Sequence, residues 1–205
     1  MKIRSRINSM FDGKAFKRPL FYNYEGGLRF ELSEGGDYLN QFVTAHRKGM
    51  EICQDIFTMN DQLTICIKLF GRESLLSCLS PIRELNDAGL FPLVEKEHWT
   101  EFDEEWVEDE EYREHLWHYI AFNASSELVL NALWCAFSSD FECIAPSPSV
   151  TTYLFNFHKE IMVLPYDDRG MDIVGPNSQY LKGLYHKFGR YLLEHDRKAM
   201  DASFS

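Results

Sequence analysis

The segment from Val150 to Val174 constrains the fold more than any other part of the chain. Val150 to Phe157, Glu160 to Leu164 and Met171 to Val174 are short runs rich in β-branched, aromatic and other apolar residues. His158-Lys159 separates the first two runs and Asp167-Asp168-Arg169-Gly170 the second two. Runs of that length broken by turn residues predict a meander of three antiparallel strands. Gly175-Pro176-Asn177-Ser178 then ends the meander and supplies an N-cap for a helix from about Gln179 to Lys187.

Upstream, Ile3 to Phe11 reads as a short basic helix stopped by Asp12-Gly13. Leu20 to Tyr24 and Leu28 to Leu32 read as two strands around Gly26-Gly27. In the second, Leu28, Phe30 and Leu32 point one way and Arg29 and Glu31 the other, the alternation of a half-buried strand. Asp37 caps a predicted helix from Tyr38 to Phe57, whose stripe is Leu39, Phe42, Val43, His46, Met50, Cys53 and Phe57. Gln62 to Phe70 alternates as a strand, with Leu63, Ile65, Ile67 and Leu69 on one face. Ser74 to Leu85 reads as a helix that Pro81 must bend or divide. Tyr112 to Phe122 alternates as a strand, Ser126 to Phe137 is an apolar helix capped by Ser125 or Ser126, and residues 195–204 suit a last short helix.

Strands and helices mix here without regular βαβ units, which predicts an α+β fold: an antiparallel sheet with helices packed on it, ending in the meander and its helix. The 205 residues suit one domain, 1–205, with a possible subdivision into 1–94 and 112–205 around the acidic segment 95–111. No run approaches the roughly 20 apolar residues of a membrane span. The start Met1-Lys2-Ile3-Arg4-Ser5-Arg6 lacks the apolar region of a secretory signal. Cys53, Cys66, Cys78, Cys135 and Cys143 sit singly in apolar segments with no CxxC, so reduced, buried thiols and a cytoplasmic location are expected.

The turn Tyr166-Asp167-Asp168-Arg169-Gly170-Met171-Asp172 is the most distinctive local feature. Gly170 suits a position of positive φ, and aspartates fold their carboxylates back onto backbone N–H groups. Asp167, Asp168 and Asp172 lie close in sequence to one guanidinium, Arg169. Two readings stay open: a self-satisfied turn, or a polar site at a sheet edge using the three aspartates as oxygen ligands of a divalent cation in a hydrolase.

This seven-residue turn resembles the signature of the bacterial DUF3885 family, whose function is unknown. The resemblance is strong from Val150 to Ile173 and through the next helix, and weaker over Leu28 to Leu32 and the helix after it. The family's link to Rhs-type toxin loci implies a role beside polymorphic toxins, for example as an immunity protein. It brings no catalytic residues.

The second feature is acidic. From Glu101 to Glu114, nine acids against Arg113 alone leave −8 of the chain's −11. Trp99, Phe102, Trp106 and Tyr112 are interleaved with those carboxylates. Like-charge blocks are commonly solvated loops, but aromatics among carboxylates also compose a surface that grips a basic partner. On that reading Glu104, Glu105, Trp106, Asp109 and Glu110 make the contact. The net charge disfavours nucleic acid, which needs a positive surface. The basic N-terminal cluster Lys2, Arg4, Arg6, Lys14, Lys17 and Arg18 balances the acidic run.

Catalytic templates are missing: there is no GxSxG, Walker loop, GxGxxG or HExxH, and no cofactor is expected. His115 and His118 fall on opposite sides of a strand, which disfavours a metal site there. The sequence therefore points to a non-enzymatic intracellular binding protein, concretely an immunity protein neutralising a basic toxin effector. A metal-dependent hydrolase and a purely structural domain are the alternatives.

Overall fold

The computed structural model describes residues 1–92, 96–102, 115–141 and 143–204. Among them lie seven strands: β1 (Leu28–Glu31), β2 (Leu63–Arg72), β3 (Lys96–Glu101), β4 (His115–Ala124), β5 (Thr151–Asn156), β6 (Ile161–Asp167) and β7 (Gly170–Val174). They form one sheet in the order β1-β7-β6-β5-β2-β4-β3, with every pairing antiparallel. Six helices pack on it: α1 (Ile3–Met10), α2 (Tyr38–Ile56), α3 (Leu79–Asp87), α4 (Val129–Phe137), α5 (Ser178–Lys187) and α6 (Arg197–Phe204). The fold is α+β, and its C-terminal part is the expected meander, β5 to β7, followed by a helix.

The sheet is covered unequally. Ile65, Ile67, Ile120, Leu154, Val163 and Ile173 pack into the core shared with α2, α4 and α5. Cys66, Tyr119, Tyr153, Phe155 and Met162 pack with Ile7, Phe11, Ala15 and Leu20, from α1 and the stretch after it. Towards the β1 edge, Arg18, Pro19 and Leu20 of that stretch line a cleft together with residues of β1, β6 and β7.

Caps fall where short polar residues precede apolar runs. Asp37 accepts the Asn40 N–H, Ser125 the Glu127 N–H and Asn177 the Tyr180 N–H. Pro81 divides the predicted Ser74–Leu85 helix into a 3₁₀ turn, Leu75–Cys78, and α3, where it occupies the first turn and forfeits no hydrogen bond. The β3 strand was hidden by its charge: only Trp99 is buried, and the apolar alternation that marks a strand is absent.

Three local expectations are corrected. Leu20 to Tyr24 is not a strand: Phe21–Asn23 is a 3₁₀ turn, because the Phe21 N–H is spent on the Asp172 carboxylate instead of a ladder. The buried stripe of α2 is rotated: Phe42, Ala45, Gly49, Ile52, Cys53 and Ile56 face inward, and Leu39 and Val43 are exposed. Gly49 sets that rotation, since its Cα comes so close to the Phe137 ring that a side chain would crowd it. Four cysteines are buried free thiols, but Cys143 is exposed. Among the described residues no helix is long and apolar enough to cross a membrane.

Candidate functional site

The motif turn sits at the β6–β7 connection, beside that cleft. A bulge between Pro165 and Asp167 throws Tyr166 out of register. Its phenol folds over Gly170, whose missing Cβ would lie 2.3 Å from the Tyr166 hydroxyl and 2.5 Å from the Phe30 carbonyl oxygen. Gly170 is therefore required by close approach. It is not among the residues with positive φ, which corrects the expectation of a left-handed turn residue.

The three motif aspartates have separate fates. Asp167 Oδ1 accepts the Arg169 N–H at 2.9 Å, and its Oδ2 accepts from Nε at 3.0 Å and from Nη2. Asp172 is almost wholly buried and takes no part in that pair, so the grouping of all three acids around Arg169 is corrected. It meets Arg29 from the neighbouring strand side-on, Nε to Oδ1 at 2.8 Å and Nη2 to Oδ2 at 3.1 Å. Asp168 is buried as well, and its Oδ2 has no hydrogen-bond partner among the described residues. Burial, with Asp167 and Asp140 nearby, pushes the Asp168 carboxyl above its ordinary value. Among the described residues no three His, Cys, Asp or Glu side chains are placed to hold a metal.

Arg29 is the hub of this end. Besides Asp172 it donates Nη1 to Asp196 Oδ2 at 3.0 Å, and the Tyr22 hydroxyl donates to the other oxygen of Asp196 at 2.8 Å. The guanidinium lies 4.9 Å from the ring centroids of both Phe21 and Tyr22. One side chain thus ties together four stretches distant in sequence: the 3₁₀ turn, β1, β7 and the segment before α6. The hydrogen bonds to Asp172 hold its pKa further up.

Beside this clamp lies a cleft of about 410 Å³ lined by Arg18, Pro19, Leu20, Arg29, Leu164, Tyr166, Asp167 and Asp172. Burial, and then Asp172, pushes the Tyr166 hydroxyl up, so it stays a neutral donor at all physiological pH. The carboxylates in the cleft are each neutralised by a guanidinium. This arrangement is suited to holding segments together.

The opposite end of the sheet is built differently. β3 is its last strand and leads into the acidic connection to β4. Glu104, Glu105, Trp106, Asp109 and Glu110 lie outside the described residues. The flanks of that connection are described. Trp99 is buried, stacked on Tyr119 at 5.1 Å, and is not the exposed anchor its acidic surroundings suggested. Phe102 is 70% exposed, at the mouth of a cleft of about 760 Å³ lined also by Arg72, Glu73, Ser74, Thr100 and Leu116. Of the basic N-terminal cluster, Arg4 pairs with Glu101 at 2.9 Å and lies over Trp99, Arg6 lies over Phe157, and Arg18 reaches Thr151.

A histidine pair also appears here. His98 Nε2 is 3.1 Å from His118 Nδ1, and His118 Nε2 is 2.6 Å from the Arg72 carbonyl oxygen. The carbonyl can only accept, so in the neutral pair His118 donates from Nε2 and accepts at Nδ1 from His98. Burial, then the neighbouring His118 and Lys96, holds His98 below its ordinary pKa. Neither this pair nor the Arg29 clamp was foreseen. The one available hint was an arginine on the polar side of a strand and an aspartate inside an apolar one.

The molecule is thus an α+β protein closed at one sheet edge by a buried arginine–aspartate clamp. The chain belongs to the DUF3885 family, described as a domain of unknown function, which it matches over residues 3–196. No curated protein and no solved structure matches it.

Proposed function

We propose that this is a non-enzymatic binding protein that grips a basic protein with the β3–β4 end of its sheet. The observation that carries the reading is the placement of the acidic connection. Its −8 charge is attached to the sheet end where β3, Phe102 and a large cleft are exposed, away from the clamp. Carboxylates gathered at one end steer a basic partner and speed its association. The aromatic residues Phe102 and Trp106 serve as anchors within that field. The motif supplies scaffold, with Asp168 and Arg169 in the turn.

The resemblance of the motif to a family linked with toxin loci suggests the kind of partner: a toxin effector with a basic cleft, which the acidic end would occlude. The protein is then an immunity protein acting in the cytoplasm of the cell that makes the toxin. Co-expression with the toxin gene of its own locus tests this. Protection of growth by the wild type, lost in the Glu104→Gln, Glu105→Gln, Asp109→Asn, Glu110→Gln variant, is expected. Undiminished growth arrest, with no complex at low salt, would overturn it.

A further inference from the structure

We infer that the free edge of β3 is a strand-addition site, which takes an extended segment of a basic partner whose side chains alternate between basic and apolar. The inference rests on the binding reading above and adds to it the mode of attachment and the partner's local pattern. β3 pairs with β4 on one side only, and among the described residues no backbone group hydrogen-bonds to its other side. The opposite sheet edge is not available in this way. There Phe30 bridges to Leu192 and the Leu193 N–H donates to the Arg29 carbonyl at 2.9 Å.

An unpaired edge is a template for any extended chain, and proteins commonly blunt it with charge. The charge here is one-sided. The −8 run begins at Glu101, the last residue of β3, so a basic segment is attracted to this edge. The two sides of the edge also differ. Glu97, Trp99 and Glu101 face α1, where Arg4 meets the two glutamates; His98 and Thr100 lie on the other face, towards Phe102, Leu116 and the large cleft. A strand laid along β3 places successive side chains on alternate faces. One set then lies beside Glu97 and Glu101 and suits lysine or arginine. The other lies over Phe102 and Leu116 and suits an apolar side chain. The backbone supplies affinity and the alternation supplies selectivity.

The probe is an eight-residue peptide alternating lysine and valine, titrated into the full chain at low salt. Two N-methylated versions carry the methyl groups on the valine amides or on the lysine amides, which block one edge of the peptide and then the other. Binding of the parent, lost at least about tenfold on methylation of one set and nearly unchanged on methylation of the other, is expected, since each lost backbone hydrogen bond costs roughly 1 kcal/mol. Amide exchange at alternate residues of β3 slows in the complex. Equal binding of all three peptides would overturn strand addition and leave the electrostatic reading standing. Absence of parent binding would overturn it too, and growth protection would then judge the binding reading separately. Dimerisation of the free protein through β3 would show a second copy on the edge and would equally overturn it.

Discussion

The two edges of the sheet solve the same physical problem in opposite ways. At the β1 edge the chain spends its own backbone and a buried ion pair: Leu192 and Leu193 cover the strand, and Arg29 draws Asp172 and Asp196 together beneath Phe21 and Tyr22. At the β3 edge the strand is short, charged and uncovered among the described residues, and it leads into the most acidic stretch of the chain. The residues that are easiest to recognise are thus consumed in closing the molecule, and the acidic connection leaves from β3, at the far side of seven strands. On the reading proposed above, the distinctive motif marks the clamp and not the contact surface.

The sharpest way to break this comparison is to cut the clamp. Arg29→Ala leaves the buried Asp172 and Asp196 without their shared cation and is expected to cost about 3–5 kcal/mol, read by urea unfolding. Replacing Arg29 and Asp172 together, as Arg29→Met with Asp172→Leu, is expected to recover part of that loss, because buried pairs seldom stabilise beyond a well-packed apolar pair while Asp196 still lacks its cation. A full loss in the double variant would mean that Asp196 and the aromatic rings dominate. Next in size, Gly170→Ala forces a Cβ against the Tyr166 phenol and the Phe30 carbonyl and should cost about 1–3 kcal/mol. Gly183→Ala, inside α5 with nothing in reach of its Cβ, should stabilise by about 0.5–1 kcal/mol. The pair separates steric need from backbone freedom in a thermal melt.

At the other edge the effects fall on binding. Neutralising Glu104, Glu105, Asp109 and Glu110 should slow association with a basic partner by about tenfold or more at low salt, with little change in unfolding midpoint. Stopped-flow rates at two salt concentrations read this directly. A smaller effect concerns pH. His98 is held below its ordinary value, so the unfolded chain takes up that proton first. Stability should fall as pH drops through about 6.5, the value of a free histidine, and fall less steeply in His98→Gln. The smallest effect belongs to Asp168. Its carboxyl is raised, so its contribution is present at acidic pH and lost as pH rises through its folded value. Asp168→Asn should therefore raise the melting temperature slightly at pH 7, and a clear drop would show that the ionised form is needed.

Much of the scaffold was legible because its signals are local. Asp37 and Asn177 announce helix starts, and the apolar runs around Asp167–Gly170 announce the meander. What escaped depends on distance. Arg29 and Asp172 are 143 positions apart, and nothing in either neighbourhood names the other. The inward face of α2 depends on Gly49 admitting Phe137, and on the buried Lys48 extending its ammonium to the exposed Glu34 at 2.7 Å. The 3₁₀ turn at Phe21 exists because a carboxylate from the last strand takes its N–H. β3 escaped because an edge strand bearing charge loses the alternation that identifies buried strands.

The central claim, that the clamp end is scaffold and the β3 end is the contact surface, is tested most directly by nitrogen-15 chemical-shift mapping of the full chain titrated with the alternating lysine–valine peptide. Shifts at residues 96–102 and 115–118, with the intervening connection, and none at 164–172, are the predicted result. Shifts centred on Tyr166, Asp168 and Arg29, with β3 unmoved, would contradict it.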